Sequence, residues 1–188
     1  RYFDSLEGNG STCSRKELEV LLEKSGLGEH RMYYPYPERW FPMSMYSDQW
    51  LPGAGELNQN LRNYEGERLV LFDEEKVYDQ IIADGRFPEF SNTFLIVAGP
   101  ERTDLPVYVK YSNDRAKEFM IRTDILKTED GCQVRKVPVS QEAKAHVVAM
   151  KHWEEVLGTQ YMAACVKVNR CELKEDAAYF EFLSGHTL

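Results

Sequence analysis

A lysine and a glutamate in the second half of the chain have the types and spacing of a phosphate-binding pair. Lys136 ends a short strand-like run, 132–136, and Glu154 lies on the apolar stripe of the helix predicted after it. A carboxylate on an apolar helix face must find a partner or stay neutral, and Lys136 is the candidate partner. A strand lysine that meets a helix carboxylate can hold the phosphates of a nucleotide.

A plainer interpretation of the same pair is also open. Glu154 can extend along the helix face to solvent at the rim, and Lys136 can be an ordinary lysine of an edge strand. Charge and spacing alone favour this interpretation, so the order of the secondary-structure elements around the pair is needed to choose between the two interpretations.

The pair belongs to a series of five strand-like runs and one helix. Ser140 is the predicted N-cap of the helix, which extends to about residue 157 and stops at Gly158. Asp130–Gly131 signals a hairpin turn, and Glu175–Asp176 joins the last two strands. The predicted strands span 107–111, 119–126, 132–137, 164–173 and 178–182.

This order of elements resembles the N-terminal lobe of protein-kinase-like folds, and residues 180–188 resemble the linker of aminoglycoside- and choline-kinase-like proteins. The resemblance implies that Lys136 contacts the alpha and beta phosphates of ATP, that Glu154 is its helix partner, and that Val134 covers the base. The segment 111–116 lacks the glycines of a phosphate-covering loop. Kinase catalytic carboxylates belong to the other lobe, so phosphoryl transfer by this chain alone is not expected.

The first half has the helix and strand signals of an α/β domain. Ser14 and Glu17 form a capping box before a helix over about 15–25, and Gly26 ends it. A strand over 31–34 follows, ended by Pro35 and Pro37. The remaining predictions are an irregular aromatic loop from 40 to 63, an apolar run over 68–72, a helix from Asp73 to Gly85, and a buried strand over 92–98.

The run 14–27 followed by 33–37 resembles the C-terminal end of bacterial class I S-adenosylmethionine-dependent methyltransferases. More narrowly, it resembles bacterial proteins in which a methyltransferase is fused to a kinase-like region, often near surface-glycan genes. The predicted fold class is therefore α/β followed by α+β. Residues 1–99 would be the tail of a Rossmann-like methyltransferase sheet, and residues 105–188 a five-stranded antiparallel sheet with one helix, kinase N-lobe-like.

The methyltransferase resemblance implies a fragment of a larger protein. The glycine-rich cofactor turn and the ribose-binding acid of that fold have no counterpart here. S-adenosylmethionine and ATP with Mg²⁺ are expected only for the full-length protein, with none in the fragment. No catalytic residue is assigned. Glu7, Tyr33, Tyr34 and Tyr36 could line the pocket for a small-molecule or glycan acceptor, although packing at a sheet edge is the plainer interpretation of the tyrosines.

Two other function classes stay open. The stretch 40–64 could be a carbohydrate- or protein-binding module, because exposed aromatic rings stack on sugars or on a partner's apolar surface. The kinase-like lobe could also be an interaction scaffold without nucleotide. The aromatic residues of the stretch are Trp40, Phe41, Tyr46, Trp50 and Tyr64.

Composition excludes several classes of partner. The chain has 31 acidic and 23 basic side chains, a net charge of −8, which disfavours nucleic acid. No apolar run is long enough for a membrane span. Four cysteines without framework or metal spacing indicate reduced thiols in a cytoplasmic protein, and no metal site is expected. An exposed sheet edge could pair two copies into a homo-oligomer.

Overall fold

The computed structural model describes residues 13–37, 39–57, 74–100, 102–161 and 168–184. The chain divides into two compact units, 1–101 and 102–188. The division lies within the turn-rich segment 99–104, where the composition of the sequence changes. Each unit combines antiparallel strands with helices, so the protein is mixed α/β.

The first unit begins with a capped helix that leads into a small sheet. Ser14 and Glu17 form the predicted capping box, with the Ser14 amide donating to Glu17 Oε2 at 2.7 Å. Gly26 follows the helix at φ +73°, as predicted for a left-handed stop. The elements are α1 (Arg15–Lys24), β1 (His30–Tyr36), β2 (Ser44–Ser47), α2 (Glu74–Ala83), a 3₁₀ turn (Phe87–Phe90) and β3 (Leu95–Ala98).

The first unit's sheet has the order β3-β1-β2, and each of these pairings is antiparallel. β1 therefore lies in the centre of these three strands. Pro35 was predicted to end β1 but lies inside it, opposite Met45. The β1–β3 pairing stops at Tyr33, so Pro35 lies where β1 has β2 as its one described partner, and a missing amide donor is tolerated there.

The sequence predicted that β3 would be the most buried strand of the chain, and this prediction was wrong. None of its four residues is buried, and Leu95 and Ala98 are exposed. The prediction assumed the two-sided cover of a strand in a parallel sheet. Instead, β3 pairs antiparallel with β1 at the end of the strand order. The described strands of this unit show no parallel pairing, so a Rossmann-like methyltransferase topology stays a prediction.

Buried aromatic rings and one polar network hold the first unit together. Tyr34 packs edge-on against Phe87, with ring centroids 6.1 Å apart. Its hydroxyl donates to Asp48 Oδ1 at 2.6 Å, and Arg15 Nη2 donates to the same oxygen at 3.0 Å. Burial and the bond to Asp48 raise the pKa of Tyr34. The network therefore ties α1, β1 and the end of β2 to one carboxylate.

The second unit contains an antiparallel sheet of five strands in the order β4-β5-β6-β8-β7, with one helix against it. The described residues of this unit contain the predicted five antiparallel strands and one helix; a kinase-like fold as such stays a prediction. The elements are β4 (Tyr108–Tyr111), a 3₁₀ turn (Lys117–Phe119), β5 (Ile121–Thr128), β6 (Gly131–Pro138), α3 (Lys144–Tyr161), β7 (Cys171–Lys174) and β8 (Ala177–Glu181).

Two tight turns close the hairpins of this sheet. Thr128 and Gly131 pair across the β5–β6 turn, where Gly131 has φ +131°. Glu175 and Asp176 join β7 to β8, both with positive φ, at +48° and +66°. Two consecutive left-handed residues match the right-handed twist of a hairpin.

The helix between β6 and β7 begins and ends later in the chain than the sequence predicted. Ser140 Oγ accepts a hydrogen bond from the Ala143 amide at 3.1 Å, and the helix proper begins at Lys144. Gly158 was predicted to stop the helix, yet α3 continues through it to Tyr161. A glycine inside a helix costs only about 1 kcal/mol relative to alanine, which the rest of the helix can offset.

A buried carboxylate stabilises the face of the sheet opposite α3. Asp124 is completely buried and accepts hydrogen bonds from Arg122 Nε at 2.8 Å and from Arg135 Nε at 2.9 Å. Arg122 and Asp124 belong to β5, and Arg135 of β6 lies directly opposite Asp124. Two arginine guanidinium groups therefore offset the single negative charge of Asp124. Among the described residues, no helix has the length and apolar character needed to cross a membrane.

We expect Asp124→Asn to destabilise the second unit by about 3 kcal/mol, because an amide leaves two guanidinium groups without their carboxylate. Urea unfolding followed by circular dichroism measures this loss. The control is Asp104→Asn, whose carboxylate is exposed and paired with Arg102, and it should leave the unfolding midpoint nearly unchanged. Equal midpoints for Asp124→Asn and the parent protein would contradict the assignment.

We expect Glu175→Asn to stabilise the protein by about 0.5 kcal/mol, because asparagine adopts positive φ more readily than glutamate. The urea midpoint should rise while the slope of the transition stays constant. A midpoint unchanged or lowered by this substitution would show that the β7–β8 turn does not have the geometry described above.

Candidate functional site

Lys136 lies on the face of the second sheet that α3 covers. It is paired directly with Ala178 of β8 and Thr123 of β5. Ala178 packs in a buried cluster with Val147 of α3, and paired residues of antiparallel strands point to the same face. Lys136 therefore extends between sheet and helix, where its side chain is half-buried.

The ammonium group of Lys136 is held by an aromatic ring. Its Nζ lies 5.6 Å from the centroid of the Phe180 ring. Burial lowers the pKa of Lys136, and the nearby positive charge of Arg115 lowers it further. Among the contacts of the described residues, Lys136 has no ion pair with a carboxylate.

Glu154 has a different partner from the one that the sequence predicted. Its Oε2 accepts a hydrogen bond from Lys151 Nζ at 2.6 Å, one turn earlier on α3. The predicted Lys136–Glu154 ion pair is thus not formed among the described contacts. Lys151 reaches Glu154 along the helix surface at spacing i, i+3, which needs no crossing of the apolar layer between helix and sheet.

Lys136 and Glu154 both influence the pKa of one buried thiol. Burial raises the pKa of Cys171; Lys151 and Lys136 act to lower it and Glu154 acts to raise it. Cys171 lies in the core cluster with Val147 of α3. Lys136 and Glu154 themselves contact different partners, Phe180 and Lys151.

Two further basic side chains that the sequence did not single out interact electrostatically with Lys136. His146 is in the first turn of α3, and burial, followed by the charges of Arg115 and Lys136, holds its pKa below the usual range. Arg115 is exposed in the segment between β4 and β5. We call Arg115, Lys136 and His146 the basic cluster.

One hydrogen bond and one ring contact join the turn at 117–119 to the start of α3. Ser140 Oγ donates to the Lys117 carbonyl at 2.8 Å, and the ring of Phe119 meets His146 edge-on, with centroids 5.3 Å apart. The Ser112 amide donates to the Ile121 carbonyl at 3.1 Å, which joins the two ends of the segment that carries Arg115.

A group of basic side chains of this kind would favour an anion. Glu142 is hydrogen-bonded to Ser140, and Asp176 Oδ2 accepts from Lys144 Nζ at 2.6 Å. The positive charge of Arg115 disfavours the charged forms of Lys136 and His146, and a phosphate or sulfate group would offset that repulsion. Within the described ranges, no group of three or more His, Cys, Asp or Glu residues could hold a metal ion.

Val134 supplies an apolar surface beside the cluster. It shares the helix-covered face with Lys136 two residues later, and it is paired with Phe180 and Ile125 on the neighbouring strands. The row Ile125, Val134 and Phe180 could contact an aromatic base. Contact between Val134 and a base stays a prediction.

The tyrosines proposed for an acceptor pocket are buried in the first unit. Tyr33, Tyr34 and Tyr36 are at most 3% exposed. Tyr36 meets Tyr78 edge-on at 5.5 Å, so packing explains these rings, although in the central strand of three rather than at the predicted edge. A contact with substrate stays a prediction, and Glu7 lies outside the described residues.

The aromatic stretch contains one strongly exposed ring. Trp40 is 73% exposed, with the Arg39 guanidinium 4.5 Å from its ring centroid. Tyr46 is buried, and Trp50 is half-buried. Tyr64 lies outside the described residues. A binding surface in this stretch therefore depends on Trp40 and its neighbour Phe41.

Arg115 and His146 could not be predicted from the sequence, because neither residue belongs to a recognisable motif. They lie on separate elements, and only the return of the chain through β5, β6 and α3 brings them close to Lys136. The three cysteines in the described parts of the chain, Cys13, Cys132 and Cys171, are free thiols.

Comparisons of the chain with protein-family models, with curated proteins and with solved structures found no match.

Proposed function

We propose that the second unit binds a nucleotide through its phosphates, with Lys136 as the main ligand. One observation supports this most strongly. The described contacts of a half-buried ammonium include an aromatic ring but no carboxylate, and the charges of two other basic groups act on it or are acted on by it. Burying a cation without a counter-ion costs free energy, and a bound phosphate would offset that cost.

The shape of the unit supports a nucleotide rather than a simple anion. The apolar row Ile125, Val134 and Phe180 lies beside Lys136 on the same face, as a ligand with an aromatic base would need. The lysine is on the third of five antiparallel strands, and the next element is a helix that carries Glu154. Both features match the expectation of a kinase-like N-terminal lobe.

The proposed activity of this unit is binding, not phosphoryl transfer. We further propose that the chain functions within a larger bacterial fusion of an S-adenosylmethionine-dependent methyltransferase and a kinase-like region, in the biosynthesis of glycan or lipopolysaccharide-type surface polymers. The sequence α1, β1 and antiparallel β3 in the first unit supports this context, because the methyltransferase resemblance implies a helix, a strand and a returning antiparallel strand. S-adenosylmethionine and ATP with Mg²⁺ would then be the cofactors of the complete protein.

We expect ATP with Mg²⁺ to bind the intact chain saturably in isothermal titration calorimetry, and Lys136→Met to weaken this binding about tenfold through loss of a charge-assisted contact. The matched control is Lys127→Met, because Lys127 is an exposed lysine near the β5–β6 turn of the same sheet. Circular dichroism should show that both variants are folded.

Two results would contradict the proposed function. One is the absence of ATP binding by the parent chain. The other is equal affinity in the parent and in Lys136→Met, which would favour the scaffold hypothesis for this unit.

A carbohydrate- or protein-binding function is the second candidate, and the exposure of Trp40 favours it. We expect titration of the chain with cellohexaose or maltohexaose to change its tryptophan fluorescence, because a sugar ring would stack on Trp40. Trp40→Ala should abolish the change. Trp153→Ala, which removes an exposed tryptophan of the second unit, should preserve it. A response that survives Trp40→Ala would contradict this candidate.

A further inference from the structure

We propose that Lys110 and Thr123 extend the phosphate site of Lys136 into a row across three strands, and that this row selects a di- or triphosphate over a monophosphate. This inference rests on the proposed function, since Lys136 is the innermost ligand of the row. It adds two binding residues and names the class of phosphate that the site takes, a chain of two or more phosphoryl groups.

The register of the sheet places the three side chains next to one another. Lys110 of β4 is directly opposite Thr123 of β5, and Thr123 is directly opposite Lys136 of β6. Paired residues of antiparallel strands point to the same face, with Cβ atoms about 4.5–5.5 Å apart. We call Lys110, Thr123 and Lys136 the polar row. It lies on the face of the sheet on which α3 packs, because Lys136 is paired in turn with Ala178 of the buried cluster.

α3 covers only one side of this face. Its main contacts in the described parts of the chain are with β6, β7, β8 and the turn at 117–119, and β4 and β5 are not among them. Burial follows the same direction: Lys110 is exposed, Thr123 and Lys136 are half-buried, and Ala178 is completely buried. The polar row therefore runs from solvent to the edge of the helix, and an elongated ligand could lie along it.

The outer two members of the polar row have hydrogen-bonding groups to offer a ligand. No carboxylate among the described residues forms an ion pair with Lys110, and the Thr123 hydroxyl has no hydrogen-bond partner among them. Asp114 and Glu118, the acidic residues of the segment between β4 and β5, are both exposed. Asp124 points to the opposite face, where arginine side chains compensate its charge.

The spacing of the polar row favours a chain of phosphates. Adjacent strands are about 4.8 Å apart, so the backbones of Lys110 and Lys136 are about 10 Å apart, with Thr123 midway. A monophosphate contacts both lysines only if their side chains bend towards each other, which costs side-chain entropy and brings like charges together. A di- or triphosphate chain would contact both ammonium groups through charge-assisted hydrogen bonds, and the Thr123 hydroxyl would donate to an oxygen between them.

Isothermal titration calorimetry of the intact chain with AMP, ADP and ATP in the presence of Mg²⁺ tests this selection. We expect ADP and ATP to bind at least about tenfold more tightly than AMP, and Lys110→Met to weaken ATP binding about tenfold with little effect on AMP. The matched control is Lys127→Met. Lys127 is an exposed lysine on the same face of β5, separated from Thr123 by Ile125, so its loss should leave both affinities unchanged.

Two substitutions of Thr123 test the hydroxyl without a change of charge. Thr123→Val keeps the β-branched shape and should weaken ATP binding about fivefold, whereas Thr123→Ser keeps the hydroxyl and should bind within about twofold of the parent. Valine is a strong strand former and Lys110 is exposed, so circular dichroism should show that all variants are folded.

The inference is overturned if Lys110→Met and Thr123→Val both bind ATP as tightly as the parent, or if AMP binds as tightly as ATP. It is also overturned if Lys127→Met weakens binding as much as Lys110→Met, since the effect would then be one of net charge. If neither ATP nor tripolyphosphate binds, this inference and the proposed function both fail.

Two further outcomes separate this inference from the proposed function. If ATP binding depends on Lys136 but on neither Lys110 nor Thr123, the proposed function stands and the polar row fails. If tripolyphosphate binds with the expected dependence on Lys110 and Thr123 but ATP binds no more tightly, the polar row stands and the nucleotide proposal fails.

Discussion

The account of this protein depends on one constraint: a lysine ammonium is half-buried between a sheet and a helix without a carboxylate among its described contacts. The packing of Val147 on Ala178 and Cys171 draws α3 onto the sheet, and this packing takes Lys136 partly out of water. The ring of Phe180 compensates only part of the lost hydration, because a cation–π contact contributes about 0.5–2 kcal/mol. Such a group would favour a bound anion, which is the basis of the proposed function.

The two faces of the sheet in the second unit differ in how far their buried charges are compensated by opposite charges. On one face the buried carboxylate of Asp124 accepts hydrogen bonds from two arginines, so its charge is fully compensated. On the other, Lys136 interacts with the charge of Arg115 and has no ion pair with a carboxylate among its described contacts. The first arrangement stabilises the fold by itself. The second would be compensated by an external anion, and this contrast between the two faces is why we propose that the helix-covered face has the function.

Local sequence signals predicted the elements well and their environments less well. The capping box at Ser14, the β5–β6 hairpin at Gly131 and the strand that carries Lys136 follow from residue types within a few positions, and all are observed. The burial of β3 and the end of α3 at Gly158 were wrong. Both depend on what packs against the element, which no short window of sequence contains.

The candidate site shows the same limit. Alternation along the strand correctly predicts that Lys136 and Val134 share a face. The helical spacing that directed Glu154 towards Lys136 is not matched by an ion pair among the described contacts, because Glu154 bonds to Lys151. The sequence could not show that Lys151 would bond to Glu154 first, since a competing partner one turn away is visible only once side-chain conformations are known. Nor could it reveal Arg115 and His146, whose proximity to Lys136 results from the tertiary fold.

The most direct test of the central claim is the ionisation of Lys136 itself, followed by NMR of its side-chain carbon and nitrogen nuclei over a pH titration. The account predicts a pKa below the ordinary lysine value in the free protein, because burial and Arg115 disfavour the charged form, and a clear rise when tripolyphosphate is bound. An ordinary lysine pKa that does not change when tripolyphosphate is added would contradict the account.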